Sequence, residues 1–526
     1  MGPNYTDVDL LASARHYISI NNGLVACFAS ALIVYYYKSS RIANSNEWSD
    51  GKRSSRKLHG PGQHFLGSIA NFLAVWDETK CLKVFENWCK EYGPLFQLNF
   101  GPYKLTALNS PEYVQKLLGS KDTNYLGKGF IYKPFHPYWD DGLIITKGEK
   151  WKSRRRILEK YMFSFKTVSS YMKIFNEEGD TLVQAIGDHF NDGMEKDIEK
   201  IVMKASLQSI TNATFGKSLA DFESLAKCEL GFMEAICRMK ELVAKRVLAP
   251  YLLLDFIWKL HPLSTLERLV EKVLRKHAVA SILDESEQPL KKHGASMKQD
   301  LAAAGVPMEG IIEESQTLIG AGFETTATSL HFLLFFLALH PHHQELCRDE
   351  VDSIFEDVDL CPSGFIQFRA LSKLKHLEMC VYETLRLLPT VFLMMRKIDA
   401  PLQLEEDLEI PAGSDVGIYV PGLHKNPKYF PNPDNFIPER FSLEQSKTRH
   451  PYAFIPFAAG PRKCIGYKFA MMEMLSLAAK LLRNYEWETT EKLENVVLLP
   501  HITITPKNPM KFLFKKRLLT NHIMGL

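Results

Sequence analysis

The chain has 526 residues, 46% of them hydrophobic and 24% charged, with a formal net charge of +3. That balance is globular and excludes a disordered chain, and it gives nucleic acid no electrostatic hold. The cysteines, nine in all, are scattered along the chain, odd in number and without a Cys-x-x-Cys, so they suggest neither a zinc site nor a disulfide framework and fit a reducing compartment.

Residues 18–37 form a mostly apolar run, long enough to span a bilayer as a helix. Tyr35, Tyr36 and Tyr37 fall at its end, and Lys38, Arg41, Lys52, Arg53, Arg56 and Lys57 follow with few acids among them. The positive-inside rule then places everything after residue 38 in the cytoplasm. The other reading is a cleaved signal peptide, but its candidate site, Ala29-Ser-Ala31, lies inside the apolar run; an uncleaved anchor suits the pattern and the free cysteines better. The sequon at Asn4 would face the lumen. Residues 1–38 thus read as a single-pass anchor of the endoplasmic reticulum, and 39–65 as a basic linker that includes the turn His59-Gly-Pro-Gly62. Residues 66–526 read as the catalytic domain.

Leu95–Phe100 and Lys104–Leu108 alternate like two strands of a hairpin around Gly101-Pro102. Ser110 is placed to cap a helix starting at Pro111. Residues 121–142 read as an aromatic loop. Glu149–Leu158 is a basic helix on which Trp151 and Arg155, four apart, share a face; Lys150, Lys152, Arg154 and Arg156 are candidates to point outward at an acidic partner. Residues 165–300 show helical periodicity and few motifs. The apolar stretch Ala249–Trp258 reads either as core or as a surface dipping into the membrane, and 284–300 as a charged loop.

Ile311–Phe336 is one long apolar helix with Ala321-Gly-Phe-Glu324-Thr325-Thr326 at its middle, where two glycines and a threonine hydroxyl suggest a kink. Alone, it reads as a core helix with an acid at a polar seam. In the helix ended by Pro389, Glu383 and Arg386 are spaced to pair; their apolar flanks suggest burial, which demands a third partner. Leu498–Thr503 reads as a hairpin turn closing on a pocket.

The most specific stretch is Phe457-Ala-Ala-Gly-Pro-Arg462-Lys-Cys464-Ile-Gly466. A thiolate at Cys464 needs positive surroundings, which Arg462 and Lys463 offer. Gly460 and Gly466 permit a tight turn aiming N–H groups at the sulfur, and the helix that follows adds its dipole.

This phrase resembles the haem-thiolate signature of the cytochromes P450. Four further motifs of the resemblance fall in the family's order: Trp151-x-x-x-Arg155, the acid–alcohol pair, Glu383-x-x-Arg386, and Pro438-Glu-Arg440-Phe441. The chain looks most like the eukaryotic microsomal class, and within it the clan that includes fatty-acid omega-hydroxylases. The resemblance implies a mostly α (α+β) fold, a helical prism with small β-sheets, behind an N-terminal transmembrane helix. It implies haem b held by Cys464 on iron and otherwise non-covalently, within the signature from Phe457 to Gly466. Trp151, Arg155, Arg396 and Arg462 would serve the propionates, and Arg440 would complete the Glu383–Arg386 triad. Glu324 and Thr325 would deliver protons to bound dioxygen.

The implied activity is a monooxygenase inserting one oxygen atom of O2 into a lipophilic substrate, whether lipid, fatty acid, hormone-like molecule or xenobiotic. No dinucleotide fingerprint follows a strand, so NADPH-derived electrons would come from NADPH–cytochrome P450 reductase, with cytochrome b5 as a second donor. Phe130, Tyr132, Ile319, Val391, Phe392, Leu393 and Leu499 are the pocket candidates. Many members of the clan carry a glutamate, ester-linked to haem, where this chain has Ala321; no such crosslink is expected here. Two rivals remain. An isomerase or dehydratase of the same fold would often lack the acid–alcohol pair, which is intact. A haem-thiolate sensor or sequestering protein would bind without turnover.

Overall fold

The computed structural model describes residues 58–61, 65–100, 103–226, 228, 230–284 and 297–518. The expected membrane segment, the Asn4 sequon, most of the linker, the Gly101-Pro102 turn and most of the 284–300 loop lie outside them.

The described chain is mostly helical with small sheets. Helix α1 (Phe65–Trp76) leads into α2 (Glu78–Tyr92), whose N-cap Asp77 accepts from the Thr79 N–H. Strands β1 (Leu95–Phe100) and β2 (Tyr103–Leu108) pair antiparallel as the alternation predicts. Ser110 caps α3 (Pro111–Leu118) by accepting from the Tyr113 N–H at 3.2 Å. The segment expected to be a loop instead holds short helical turns at Phe130–Phe135 and His136–Trp139. Pro137 fixes φ at the start of the second, where a helix tolerates proline.

Six helices build most of the body: α4 (Gly148–Tyr161), α5 (Met172–His189), α6 (Glu199–Phe215), α7 (Phe232–Leu248), α8 (Leu263–Leu283) and α9 (Met308–Leu339), with the two-residue strand β3 (Lys196–Asp197) between α5 and α6. Helix α9 runs unbroken through its glycines. A helix apolar on every side belongs in an interior, and α9 packs against α6, α8 and the helices that follow. Its length and composition alone would let it cross a bilayer, yet most of it is buried by protein. Gly320 and Gly322 permit close approach: a Cβ would come within 2.6 Å of the Trp139 indole at the first and 2.9 Å of Ile210 at the second.

Helices α10 (Pro341–Glu356) and α11 (Lys375–Leu387) follow, α11 stopping just before Pro389. Strand β4 (Leu393–Lys397) comes next, then the hairpin of β5 (Leu402–Glu405) and β6 (Leu408–Ile410), and β7 (Asp415–Tyr419). The main sheet has the order β1-β2-β7-β4. In it β7 runs parallel to β2 and antiparallel to β4, with Arg396 opposite Val416. Helix α12 (Tyr467–Asn484) packs on α5, α9 and α10. Strands β8 (Tyr485–Glu488) and β11 (Lys511–Lys516) pair with each other, and β9 (Leu498–Pro500) with β10 (Ile504–Pro506). The β9–β10 pair is the closing hairpin read from Leu498–Thr503.

Candidate active site

The loop before α12 is shaped by backbone contacts. The Cys464 N–H donates to the Phe457 carbonyl at 2.8 Å. Gly460 has φ +70, and a Cβ there would sit 1.6 Å from the Leu118 carbonyl, so no other residue fits. Gly466 differs from expectation. Its φ of −85 is ordinary; its part is an N–H directed at the Cys464 sulfur. Cys464 is open to solvent-sized contact although protein surrounds it. Burial raises its thiol, opposed by the Gly466 N–H and by Arg155. A concavity of about 710 Å³ borders it, lined by Arg155, Phe163, Phe457, Lys463 and Lys468 among others. Phe457 meets Tyr467 edge to face at 4.8 Å.

Helix α4 carries the next groups. Arg155 donates to the Lys463 carbonyl at 2.8 Å and to Glu159 at 2.6 Å. Trp151 lies under the Arg462 guanidinium, 4.4 Å from ring centre to cation. Of the basic residues expected to face outward, Arg154 does not: it is buried, its guanidinium 3.9 Å from the buried Glu314. Lys150 pairs with Asp141 and Glu313, and Lys152 with Glu149. Charge density along a helix does not say which face turns inward; Arg154 sits three residues from Trp151 and shares its buried side.

Arg396 and Arg462 are both buried. Arg396 donates to its neighbour's carbonyl at Met395 and to the Tyr132 hydroxyl. Arg462 donates to the carbonyls of Leu143 and Thr146, and its Nε finds no acceptor. Lys128, which the sequence reading missed, joins them. A bridge between Gly127 and Lys397 draws it against β4, and its ammonium stands 4.3 Å over the Tyr132 ring. Burial lowers all three, and their mutual repulsion adds for Lys128 and Arg462; Arg462 comes down to about 9. Among the described residues, none of the three has a carboxylate within ion-pair distance. Gathering unpaired cations in an interior is costly unless an anion joins them. The cluster therefore fits a group bearing carboxylates, and the propionates of haem are such groups. The signal was a lysine between two glycines, Gly127-Lys128-Gly129.

In the middle of α9, Ala321, Thr325 and Thr328 stay partly open while their neighbours at 323, 324, 326 and 327 are buried. Spaced by four and three, they mark one face of the helix turned to an internal space. The Thr325 hydroxyl donates to the Ala321 carbonyl at 2.9 Å. Glu324 points another way. It is buried, 2.9 Å from the Lys240 ammonium, and accepts from the Thr503 hydroxyl. Burial pulls Lys240 down, but Glu324 more than offsets it, so the ammonium is held above its usual range. Sequence reasoning missed both partners. Lys240 breaks an apolar stripe of α7 made by Ile236, Met239 and Val243, a charge where core is due. Thr503 follows from the hairpin turn that folds onto α9.

The triad is assembled. Arg386 grips Glu383 with two hydrogen bonds of 2.7 and 2.8 Å, and Arg440 reaches the same carboxylate at 3.3 Å. Glu383 and Arg386 are wholly buried. The remaining guanidinium hydrogens go to the carbonyls of His424, Pro433 and Asn435, so the pair meets the demand for full satisfaction. Its place is the fixing of the 424–440 segment against α11.

The pocket candidates divide. Phe130, Tyr132 and Phe392 pack in one cluster, with the Phe130 ring 4.6 Å from Tyr103. Ile319 lines a small apolar cavity with Trp139, Phe222, Ile236 and Met239. Val391 packs instead with Leu108 and Val114 on the other side of the sheet. Leu393 starts β4 and Leu499 lies in β9, both half-buried.

Comparison with known proteins places these features. The cytochrome P450 family model matches residues 60–514, and the chain belongs to the cytochrome P450 family, enzymes that use haem b with cysteine-thiolate ligation as monooxygenases. Cytochrome P450 4c21 of Blattella germanica is 29% identical over 515 residues, covering 94% of this chain and 99% of its own. Cytochrome P450 4V2 of Pongo abelii is 31% identical over 451 residues, covering 81% and 82%. Cytochrome P450 4c3 of Drosophila melanogaster is 29% identical over 510 residues, covering 91% of each. The resemblance drawn from the motifs, and the mostly helical fold it implied, are both borne out.

Proposed function

We propose that this chain oxygenates a lipophilic, chain-like molecule at the membrane of the endoplasmic reticulum, with electrons from NADPH–cytochrome P450 reductase. Haem, when bound, supplies the activation of O2 and the oxidising power for attack on a C–H bond. Cys464 would provide the thiolate for iron; burial raises its thiol, and the Gly466 N–H and Arg155 oppose that rise. Arg155, Arg396, Arg462 and Lys128 hold the propionates, and Trp151 supports Arg462 from below. Phe457 covers the sulfur side. Glu383, Arg386 and Arg440 keep the surrounding segment rigid.

The observation that carries the reading is the arrangement on α9. Thr325 offers a hydroxyl on the open face of α9, and Glu324, next to it in the chain, is a buried carboxylate turned away to Lys240 and Thr503, which would serve Thr325 only on leaving that pair. Delivering protons needs such a pair; an isomerase or a storage protein does not. Phe130, Tyr132, Ile319, Val391, Phe392, Leu393 and Leu499 are the proposed pocket, and their apolar character favours a fatty chain or a similar foreign lipophile. Arg155, Lys463, Lys468 and Arg449 border the concavity beside Cys464, a basic face suited to an acidic electron donor, reductase or cytochrome b5.

Residues 1–38 would anchor the protein, 39–65 link it and 66–526 form the catalytic domain on the cytoplasmic side. Exposed Leu73, Trp76, Phe256 and Leu260 support membrane contact by the globular part. Trp76 stacks on Tyr251 at 6.4 Å, which brings the end of α1 and the 250–253 turn together. The test is turnover with reductase in lipid vesicles under 18O2, over a panel of fatty acids and foreign lipophiles. Labelled product formed with NADPH consumption supports the reading. Substrate binding with no NADPH or O2 use on any bound compound overturns it in favour of a non-catalytic protein.

A further inference from the structure

Helices α10 and α11 pack side by side, and each presents a histidine and a cysteine four residues apart: His343 and Cys347 on α10, His376 and Cys380 on α11. Positions i and i+4 share a helix face, so both pairs turn to the same seam. The two sulfurs lie 3.8 Å apart and both are wholly buried. The histidine nitrogens, Nδ1 of His343 and Nε2 of His376, lie 3.1 Å apart. A ring nitrogen of His376 and the sulfurs of Cys347 and Cys380 all fall within 4.8 Å of one another.

These separations have a chemical meaning. Zinc bonds sulfur at about 2.3 Å and imidazole nitrogen at about 2.0–2.1 Å in a tetrahedron. The edge of that tetrahedron between sulfurs is then about 3.8 Å. The sulfur–sulfur edge is already present at 3.8 Å, and a His376 nitrogen lies within 4.8 Å of both sulfurs, while His343 groups with His376 and Glu439 at the outer end of the seam. We propose that Cys347, Cys380 and His376, with a water at the fourth corner, bind a thiophilic d10 cation of the zinc type and staple α10 to α11. The donor set is two soft sulfurs and one imidazole, a set that selects zinc over magnesium or calcium. Two thiolates neutralise a divalent ion, which lets it sit in an interior. His343 is only half-buried and provides the way in. The carboxylate of Glu439, 3.8 Å from His343 Nδ1, adds negative field at that open end.

The seam is held for the purpose by its surroundings. Glu350 on α10 accepts the N–H groups of His376 and Leu377, at 2.7 and 3.2 Å, and so fixes the first turn of α11 against α10. One turn past Cys380, α11 carries Glu383 and Arg386, so a metal here would brace the helix bearing the triad. The sequence suggested no zinc site because the Cys-x-x-Cys rule looks for paired thiols within one turn. Here the thiols come from two helices, each with its own His-x-x-x-Cys spacing.

The test uses the full-length, haem-loaded protein. After equilibration with Zn2+ and passage through a weak chelator, zinc and iron are measured together by elemental mass spectrometry. About one zinc per haem iron is expected, in the way structural sites hold the metal tightly. Cys347→Ser with Cys380→Ser should cut zinc by roughly tenfold or more, while the carbon-monoxide spectrum of the haem stays as in the parent. If that double variant fails to bind haem, His376→Gln takes its place with the same expected loss of zinc. Zinc below a tenth of iron in the parent overturns the proposal, as does zinc undiminished in the variants. A Cys347–Cys380 disulfide found in the parent by mass mapping also overturns it.

Discussion

Lys240 and Glu324 meet 2.9 Å apart inside the molecule, an ion pair joining α7 to α9 with both partners buried. The acid of the acid–alcohol pair is thus anchored away from Thr325, on the side of α9 that faces α7 and the β9–β10 turn. Thr503 holds the same carboxylate from that turn.

Removing one partner of a buried ion pair leaves a bare charge and costs about 3–5 kcal/mol. Lys240→Met should therefore lower the thermal midpoint, while haem content is kept. The pH dependence has a definite sign. The Lys240 ammonium is held above its ordinary 10.5, so the pair's stabilisation is full below that value and is lost as pH rises through the higher folded one. The parent should lose stability at strongly alkaline pH more steeply than Lys240→Met; equal slopes would contradict the assignment.

Thr325→Ala should keep haem and substrate binding and keep NADPH consumption, while product falls and hydrogen peroxide rises. The hydroxyl lies on the open face of α9, whereas that of Thr326 is turned to the Gly322 carbonyl in the buried interior. Successive helix residues point about 100° apart, so Thr326→Ala should change the product-to-NADPH ratio less. The readouts are product, NADPH and peroxide from one reaction; an unchanged ratio in Thr325→Ala counts against the pair.

How far the sequence reached depends on how local each signal was. Glu383 with Arg386, Ser110 and the β1–β2 strands were legible because spacing or capping states them within a few residues. Arg440 needed the family resemblance, since nothing local says that it returns to Glu383 across 57 positions. Lys128, Lys240 and Thr503 were missed because their partners arrive from other elements: β4 for the first, α9 for the other two. The outward direction expected of Arg154 failed for the converse reason, as a run of cations hides which one the helix turns inward. The kink expected in α9 came from counting glycines; the structure uses Gly320 and Gly322 for the close approach of Trp139 and Ile210 instead.

Glu473 on α12 is wholly buried, and burial pushes its carboxyl up to about 8. The hydroxyls of Ser206 and Ser209 lie near enough to lower it, but neither makes a well-formed hydrogen bond with it. A raised carboxyl contributes its full stability below its unfolded value of 4.5 and loses it as pH rises through about 8. Glu473→Gln should leave stability at pH 5 nearly unchanged and raise it at pH 9, by an amount on the order of a few kcal/mol. Denaturant midpoints at the two pH values decide; an equal shift at both would contradict the buried neutral acid.

Ala321 offers no carboxylate on the open face of α9. Acidified organic solvent should therefore extract all haem from the denatured protein. Haem that remains with the polypeptide would show a covalent link made elsewhere.

The central claim is that Cys464 is the sulfur that holds iron. The direct measurement is the absorption spectrum of the reduced, full-length protein under carbon monoxide, for the parent and for Cys464→Ser. The account predicts the red-shifted Soret band of thiolate-ligated haem in the parent and its disappearance in the variant. The same red-shifted band persisting in Cys464→Ser would contradict it.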